Sequence, residues 1–190
     1  VEVGQSVILV NRADDLPDVR HISIDYETAM RTAVQMFMRA GCSNIALVSR
    51  AARTPSLLAR EEFFTQFLSE HGIKLQIWRG ASTTYETGQQ AMRELLVGLN
   101  PPDGVFFIND LMACGGIDTA RREFKRRLPE DLCILGFDDI AQAAWSGYDL
   151  TTFAQPYNEI ATAVVQNLSN AAPARLTLTA RPVWRGTMRS

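Results

Sequence analysis

Polar side chains follow the ends of four predicted strands, and their types suit recognition of a small polar molecule. Each of the pairs Asn11-Arg12, Ser49-Arg50, Asn109-Asp110 and Asp138-Asp139 comes directly after a short apolar run. In open α/β sheets, ligands bind just beyond the carboxyl ends of the strands. Arg60 lies one turn into a helix that follows a strand, and it could point into the same cleft. Carboxylate, amide and guanidinium groups together can fix vicinal hydroxyls or a charged small molecule.

The same residues also have structural interpretations, because Asn or Asp before a helix is normally a cap. For Asp110 the cap is the favoured interpretation, whereas a cap and a ligand contact are equally compatible with Asp139 at this point. Asp138 and Arg60 favour a binding site, because each lies beside apolar residues without an obvious local partner. Considered with the rest of the chain, Asp139 is expected to stabilise the loop and Asp138 to contact the ligand.

Adjacent carboxylates also suggest acid/base catalysis, but neighbours in sequence usually diverge in direction, and glycoside chemistry needs two carboxyls at set separations. The sequence contains no Gly-rich phosphate loop, no HExxH or GxSxG motif and no Cys/His cluster. His21 and His71 fall at a loop and at a helix end, where histidines commonly serve structural purposes. The sequence therefore predicts binding without catalysis, and it predicts no cofactor and no metal.

Strand and helix patterns alternate along almost the whole chain and predict the elements that hold these residues. Repeated strand–helix–strand units imply right-handed crossovers with helices on both faces of a parallel sheet. The predicted fold class is α/β, a three-layer αβα parallel sheet. Predicted strands are residues 7–10, 21–24, 44–48, 74–78, 105–108, 133–137 and 150–153, with weaker edge strands at 175–179 and 182–185; predicted helices are about 27–40, 56–71 (Ser56 as N-cap), 86–97, 110–127 and 157–168.

Composition narrows the class of protein further. With 190 residues, 46% of them hydrophobic, and a formal charge of −2, the chain can form one good core or two small ones. The densest basic cluster, residues 121–127, is expected to be a solvated helix end that complements the helix dipole, not a nucleic-acid surface. No apolar segment reaches membrane-spanning length.

The three cysteines Cys42, Cys114 and Cys133 are odd in number and lack metal-ligand spacing, which suits a reducing cytoplasm. The chain opens at Val1 without an initiator Met, and we interpret it as part of a longer protein.

Several segments resemble, in order and spacing, the effector-binding domain of the LacI/GalR family of transcriptional regulators. The resemblance covers essentially the whole chain. The segments are VILVNR at 7–12; AG at 40–41 with NIA at 44–46; Ser56 with Arg60 and Phe64; PDGVF at 102–106 with NDLMA at 109–113; the run LPEDLCILGFDD at 128–139; LTT at 150–152 with QP at 155–156; and RGT at 185–187. The resemblance implies a periplasmic-binding-protein-like fold of type I, with two α/β subdomains joined by crossing strands and a ligand in the cleft.

The resemblance also implies which residues contact the effector. Arg60, Asn109 and Asp138 match the polar effector contacts of the family, and Asn11, Asp25, Gln155 and Tyr157 match cleft-lining or crossover positions. The aromatic residue that usually stacks on the ligand falls at Thr83, so Trp78 or Tyr85 would have to substitute for it. The family's usual Gly-His before a strand is Gly41-Cys42 here.

On the family pattern, residues 25–153 with 182–190 form the carboxy-terminal effector subdomain. Residues 1–24 with 154–181 are the remnant of the amino-terminal one. The helix-turn-helix headpiece and hinge helix of the family are absent, so this chain alone is not expected to bind operator DNA. A homodimer is implied, with the helix that carries Met112, Cys114 and Ile117 and the segment 141–148 with Trp145 as candidate surfaces. Each could equally be core, and for Ile117 that interpretation is favoured.

The sequence thus predicts the sensing domain of a cytoplasmic transcription regulator that binds a sugar-like effector. The alternative in the same fold is an exported sugar-binding protein for transport or chemotaxis. A third hypothesis is an α/β enzyme that uses Asp138 or Asp139.

Overall fold

The computed structural model describes residues 7–11, 19–52, 54–169 and 175–189. Arg12, which the sequence grouped with Asn11, lies outside these residues. None of the helices in the described ranges is both long and apolar enough to cross a bilayer.

The centre of the molecule is a sheet of four parallel strands in the order β4-β3-β5-β6. The strands are β3 (Ile45–Arg50), β4 (Gln76–Gly80), β5 (Gly104–Phe107) and β6 (Cys133–Leu135). The flanking helices are α1 (Tyr26–Arg39), α2 (Pro55–Glu70), α3 (Tyr85–Val97) and α4 (Asp110–Arg122). Helix α1 packs against α2, and α3 packs against α4. Since right-handed crossovers place these two pairs on opposite faces, the predicted three-layer αβα arrangement is confirmed.

The core explains why the two middle strands lack a polar face. Every residue of β5 is buried, and in β3 only the last residue is partly exposed. Phe64 of α2 contacts Phe106 of β5 with ring centroids 4.9 Å apart, and it meets Phe37 of α1 at 6.0 Å. Burying one such side chain stabilises a fold by about 1.5–3 kcal/mol, so this aromatic cluster holds α1 and α2 on the sheet.

A second, smaller sheet has the order β1-β2-β8 and is also parallel. Its strands are β1 (Ile8–Val10), β2 (Arg20–Ile24) and β8 (Arg175–Leu178), and α5 (Tyr157–Ser169) packs against all three. Two strands run between the sheets, β7 (Thr152–Ala154) and β9 (Arg181–Val183), and they pair antiparallel to each other. The chain therefore leaves the central sheet through β7 and returns through β9.

Two helix boundaries differ from the sequence prediction. Helix α4 ends at Arg122, not at residue 127, because Lys125 takes a positive φ of 55° and Arg126 N–H donates back to the carbonyl of Ala120. The basic cluster therefore spans a helix end and the turn after it. Helix α2 is capped by Thr54 instead of Ser56, because Pro55 takes the first helical position, where its missing N–H costs nothing.

Part of the predicted dimer surface lies in the core of the chain. Met112, Cys114 and Ile117 of α4 are all buried within the single chain. The core interpretation that the sequence left open therefore holds for all three residues. Trp145 remains 56% exposed and stacks on Tyr148 with ring centroids 6.4 Å apart.

Candidate effector-binding site

Asp138 lies at the carboxyl edge of the central sheet, three residues after β6, in an unusual backbone conformation. Its φ is 120° and that of Asp139 is 54°, a region that side chains other than Gly seldom adopt. The N–H of Asp138 donates to the carbonyl of Phe153, 2.9 Å away, which attaches the loop to the crossing strand β7. Strained backbone of this kind persists where the surroundings fix it, and it clusters at ligand sites.

Arg60 is buried on α2, with 7% of its surface exposed. Its Nη1 donates to the carbonyl of Ile108 at 2.7 Å, and its Nε donates to the carbonyl of Ser56 at 3.3 Å. The guanidinium carbon lies 4.4 Å from the ring centroid of Phe137 and 5.5 Å from that of Tyr26, close enough for cation–π attraction. The structure thus holds a desolvated cation between two aromatic rings.

The charges of Arg60 and Asp138 affect each other. Burial raises the pKa of the Asp138 carboxyl, while the nearby Arg60 charge and the hydrogen bond from Gln155 act to lower it. Burial lowers the pKa of Arg60, and negative charge on Tyr26 or on Asp138 would act in the opposite direction. A guanidinium stays protonated in proteins, so the site keeps a buried positive charge.

A chain of hydrogen bonds connects Asp138 with the smaller sheet. Gln155 Nε2 donates to Asp138 Oδ1 at 2.6 Å, and Asn11 Nδ2 donates to Gln155 Oε1 at 3.2 Å. Asn11 follows β1 and has a positive φ of 52°. The structure therefore brings together three of the predicted residues from three separate segments.

Asn11 has an unpaired acceptor at this junction. Its Oδ1 is buried and has no hydrogen-bond partner among the described residues. Leaving a buried polar group unsatisfied costs about 1–3 kcal/mol, so such an atom calls for a donor. A ligand hydroxyl or amine beside Asn11 would supply that donor.

Two cavities adjoin the hydrogen-bond chain. The smaller has a volume of about 120 Å³ and is lined by Asn11, Ser23, Ile24, Tyr26, Pro55, Ser56 and Ala59. The larger has a volume of about 390 Å³ and is lined by residues 154–159 with Thr179 and Arg181. Gln155 lines the larger cavity and is hydrogen-bonded to Asn11, which lines the smaller one. The predicted cleft residues therefore line both cavities.

Tyr157, the first residue of α5, also lines the larger cavity and is 57% exposed. Burial of its hydroxyl raises its pKa, and the nearby carboxylates of Asp138 and Asp110 act in the same direction. Its phenol therefore stays protonated at neutral pH and can donate a hydrogen bond to a ligand.

The side chains of Asn109 and Asp25, two of the predicted effector contacts, form hydrogen bonds that cap helices. Asn109 is the N-cap of α4, accepting from Met112 N–H at 2.9 Å, and its Nδ2 donates to the carbonyl of Thr83 at 3.2 Å. Asp25 is the N-cap of α1 and accepts from Thr28 N–H at 2.9 Å. Both lie at the expected edge, yet neither has a side-chain hydrogen bond to Arg60 or Asp138.

The two aromatic residues proposed to replace the one missing at Thr83 are bound elsewhere. Trp78 Nε1 donates to Glu94 Oε2 at 2.6 Å, and the Tyr85 hydroxyl donates to Asp118 Oδ2 at 2.5 Å, both on the face with α3 and α4. The rings beside Arg60 are instead Tyr26 and Phe137, which the sequence analysis missed. The signal that could have found them is their adjacency to Asp25 and Asp138.

The two other carboxylates of this edge have separate roles. Asp110 was expected to cap α4, but Asn109 occupies the N-cap position. The buried carboxylate of Asp110 instead accepts hydrogen bonds from Thr152 Oγ1 at 2.5 Å and from Ile140 N–H at 3.0 Å. Burial raises the pKa of Asp110 to about 6. Asp139 pairs with Arg185 Nη2 at 2.7 Å and so fastens the loop to the last described segment. Across the described ranges, no three His, Cys, Asp or Glu side chains converge as a metal site.

Comparison with known proteins defines the class to which this fold and cleft belong. Residues 34–188 match the sequence model of the periplasmic binding protein-like domain. This chain therefore belongs to the periplasmic binding protein-like family.

Particular relatives support that placement. The HTH-type transcriptional repressor CytR of Escherichia coli K12 is 36% identical over 149 residues, which is 77% of this chain and 42% of that repressor. A LacI transcriptional regulator from a Rhodococcus species has a structure similar to this one, with a TM-score of 0.88, 29% identity, and coverage of 96% of this chain and 69% of that one. A LacI-family regulator from Arthrobacter sp. FB24 in complex with lactose has a TM-score of 0.83 and 25% identity, covering 96% and 71%. The chain spans less than half the length of CytR.

Proposed function

We propose that this chain is the sensing domain of a DNA-binding transcription regulator and binds a sugar-like effector between its two sheets. The observation that carries the proposal is the hydrogen-bond chain Asn11–Gln155–Asp138 beside the buried Arg60. It joins groups from both sheets, and Asn11 Oδ1 has no donor among the residues that the structure describes. A polyhydroxylated molecule supplies both donors and acceptors to such a set.

The proposed division follows the two sheets. Residues 25–153 with 182–190 would form one subdomain, and residues 1–24 with 154–181 would belong to the other. The effector would shift the balance between two relative orientations, which it can do only if it binds them with different affinity. In the longer protein, this shift would control operator binding by a cytoplasmic dimer with a separate DNA-binding headpiece.

Three observations favour this reading over the alternatives. The relatives compared above are transcription regulators, which favours sensing over export for transport. The lactose complex of the Arthrobacter protein supports a sugar as the effector class. The carboxylates Asp138 and Asp139, which the enzyme hypothesis would use, are engaged by Gln155 and Arg185, which favours binding without turnover.

A thermal-shift screen of this chain against mono- and disaccharides, including lactose and cellobiose, tests the proposal. A binding sugar should raise Tm, and Arg60→Ala or Asp138→Asn should reduce the rise. The matched control is Arg93→Ala, because Arg93 pairs with Glu123 on the surface at 2.7 Å, away from the cleft. A rise that survives both cleft substitutions would overturn the site, and turnover of the sugar would favour the enzyme. Specific, salt-resistant operator binding by this chain alone would contradict the need for a headpiece.

A further inference from the structure

Two of the three cysteines lie close together at the edge of the central sheet opposite to Asp138. Cys42 precedes β3 and Cys133 is the first residue of β6. Gly104 pairs with Cys133 in the register of β5 and β6, and a Cβ on Gly104 would lie 3.1 Å from Cys42 Sγ. Cys42 Sγ therefore lies over the strand neighbour of Cys133, and the two thiols are close enough to affect each other's charge.

Arg189 belongs to the last described segment, and its side chain lies beside Cys42 and Cys133. Its Nη2 donates to Cys42 Sγ at 3.4 Å. Its Nη1 donates at 2.9 Å to the carbonyl of Pro129, which also accepts from Cys133 Sγ at 3.8 Å. A guanidinium beside both sulfurs stabilises one negative charge on the pair, and thiolate is the reactive form of cysteine.

From this arrangement we propose that Cys42 and Cys133 are a redox-active dithiol that peroxide converts into an intramolecular disulfide. In the first step the Cys133 thiolate attacks one oxygen of hydrogen peroxide and the O–O bond breaks, which leaves a sulfenic acid and, after protonation, one water. Cys42 then attacks that sulfur, the S–O bond breaks, and a second water leaves. The two thiols lose two electrons and two protons in total, and one peroxide becomes two waters.

The titration of the pair and the third cysteine fit this assignment. The neighbouring Cys42 thiol and Arg189 lower the pKa of Cys133, while burial and the Asp103 charge act to raise it. The Cys133 thiol, burial and the Asp103 charge raise the pKa of Cys42. Cys114 is buried on α4 with its pKa raised by desolvation, so it serves as an internal unreactive reference.

The guanidinium also covers the pair. Cys42 and Cys133 are 4% and 0% exposed, but the turn residues beside Cys42, Gly41 and Ser43, are exposed. The Arg189 side chain contacts Cys42 Sγ and the Pro129 carbonyl beside Cys133 Sγ, so its movement would open a path to both sulfurs. Oxidation would join the turn after α1 to β6, far from Arg60 and Asp138.

The test is peroxide treatment of the reduced chain, then denaturation, alkylation with N-ethylmaleimide, and peptide mapping by mass spectrometry. We expect one alkylated cysteine, Cys114, a mass lower by two hydrogens before alkylation, and a peptide pair joined through Cys42 and Cys133. Cys114→Ser is the matched control and should give the same linked pair. The rate should rise with pH, because only the thiolate form attacks peroxide.

Cys42→Ser should replace the disulfide by a sulfenic acid on Cys133 that dimedone labels. Three alkylatable thiols after treatment, or a link through Cys114 or between two chains, would overturn the proposal. Mapping of the unsubstituted chain decides the question even if Cys42→Ser fails to fold.

Discussion

Gln155 Nε2 donates to Asp138 Oδ1 at 2.6 Å, and this bond joins the crossing segment after β7 to the loop after β6. Gln155 Oε1 also accepts a hydrogen bond from Nδ2 of Asn11, which follows β1 of the smaller sheet. A change in the charge of Asp138 therefore affects the smaller sheet through the Gln155 side chain. An effector that replaces either partner would alter how the two sheets are held together.

The first prediction concerns the charge of Asp138. Asp138→Asn keeps the shape but removes the negative charge opposite Arg60, so effector affinity should fall about tenfold or more, since charge-assisted hydrogen bonds contribute about 1.5–3 kcal/mol. Isothermal titration calorimetry with the sugar found in the screen measures the loss. The control Asp139→Asn removes the ion pair with Arg185 and should lower Tm with little effect on affinity. Equal losses of affinity in the two variants would contradict the separate roles of these neighbours.

The second prediction concerns pH. The pKa of Asp110 is raised from 3.8 to about 6, so the folded state binds this proton more tightly than the unfolded chain. Its stabilising contribution is therefore complete below pH 3.8 and is lost as the pH rises through about 6, a difference of about 3 kcal/mol. The urea midpoint of the unsubstituted chain should be lower at pH 7 than at pH 4.5. In Asp110→Asn the difference between the two midpoints should be smaller. An identical pH dependence of both proteins would refute the assignment.

The third prediction concerns close packing of α3 on α4. A Cβ on Gly88 would lie 1.9 Å from the carbonyl oxygen of Met112, whereas one on Gly98 would meet nothing nearer than 3.4 Å. Gly88→Ala should lower the free energy of unfolding by about 3 kcal/mol through overpacking. Gly98→Ala is the matched control and should change it little. Chemical denaturation measures both, and a stable Gly88→Ala would show that the two helices can separate freely.

The fourth prediction concerns assembly. Trp145 exposes 56% of its surface and Trp184 45%, but only Trp145 lies in the segment that the family resemblance assigns to dimerisation. Trp145→Glu should therefore convert a dimer into a monomer in sedimentation velocity, while Trp184→Glu should not. If the substitution at Trp184 dissociates the dimer instead, the interface lies near β9.

The fold was predictable from the sequence because the spacing of apolar residues and the composition of each segment indicate the same element along most of the chain. The buried runs of β3 and β5 fit only a sheet covered on both faces, and each is followed by a helix pattern. The end of α4 was mispredicted because the basic residues after Arg122 are good helix formers, and nothing local shows that Lys125 adopts a positive φ.

The site was predictable only in part, because caps and ligand contacts use the same residue types. Asn109 caps a helix, whereas Asp110, for which the cap was favoured, bridges to β7. Gln155 and Asn11 were identified through the family resemblance, but their hydrogen bond joins residues 144 positions apart and no local pattern encodes it. The rings of Tyr26 and Phe137 around Arg60 arise from packing of α1, α2 and the β6 loop.

The smaller sheet has a consequence for the order in which the chain folds. Its strands β2 and β8 meet at Ser23 and Thr177, which are 154 positions apart, while the strands of the central sheet pair over much shorter spans. Closing so long a loop in an unfolded chain carries a high entropic cost, and pairing of distant segments is slow. The central sheet draws residues 24 and 152 together when it forms. Strand β8 is therefore expected to join β2 last, and the smaller sheet is complete only once the central sheet has formed.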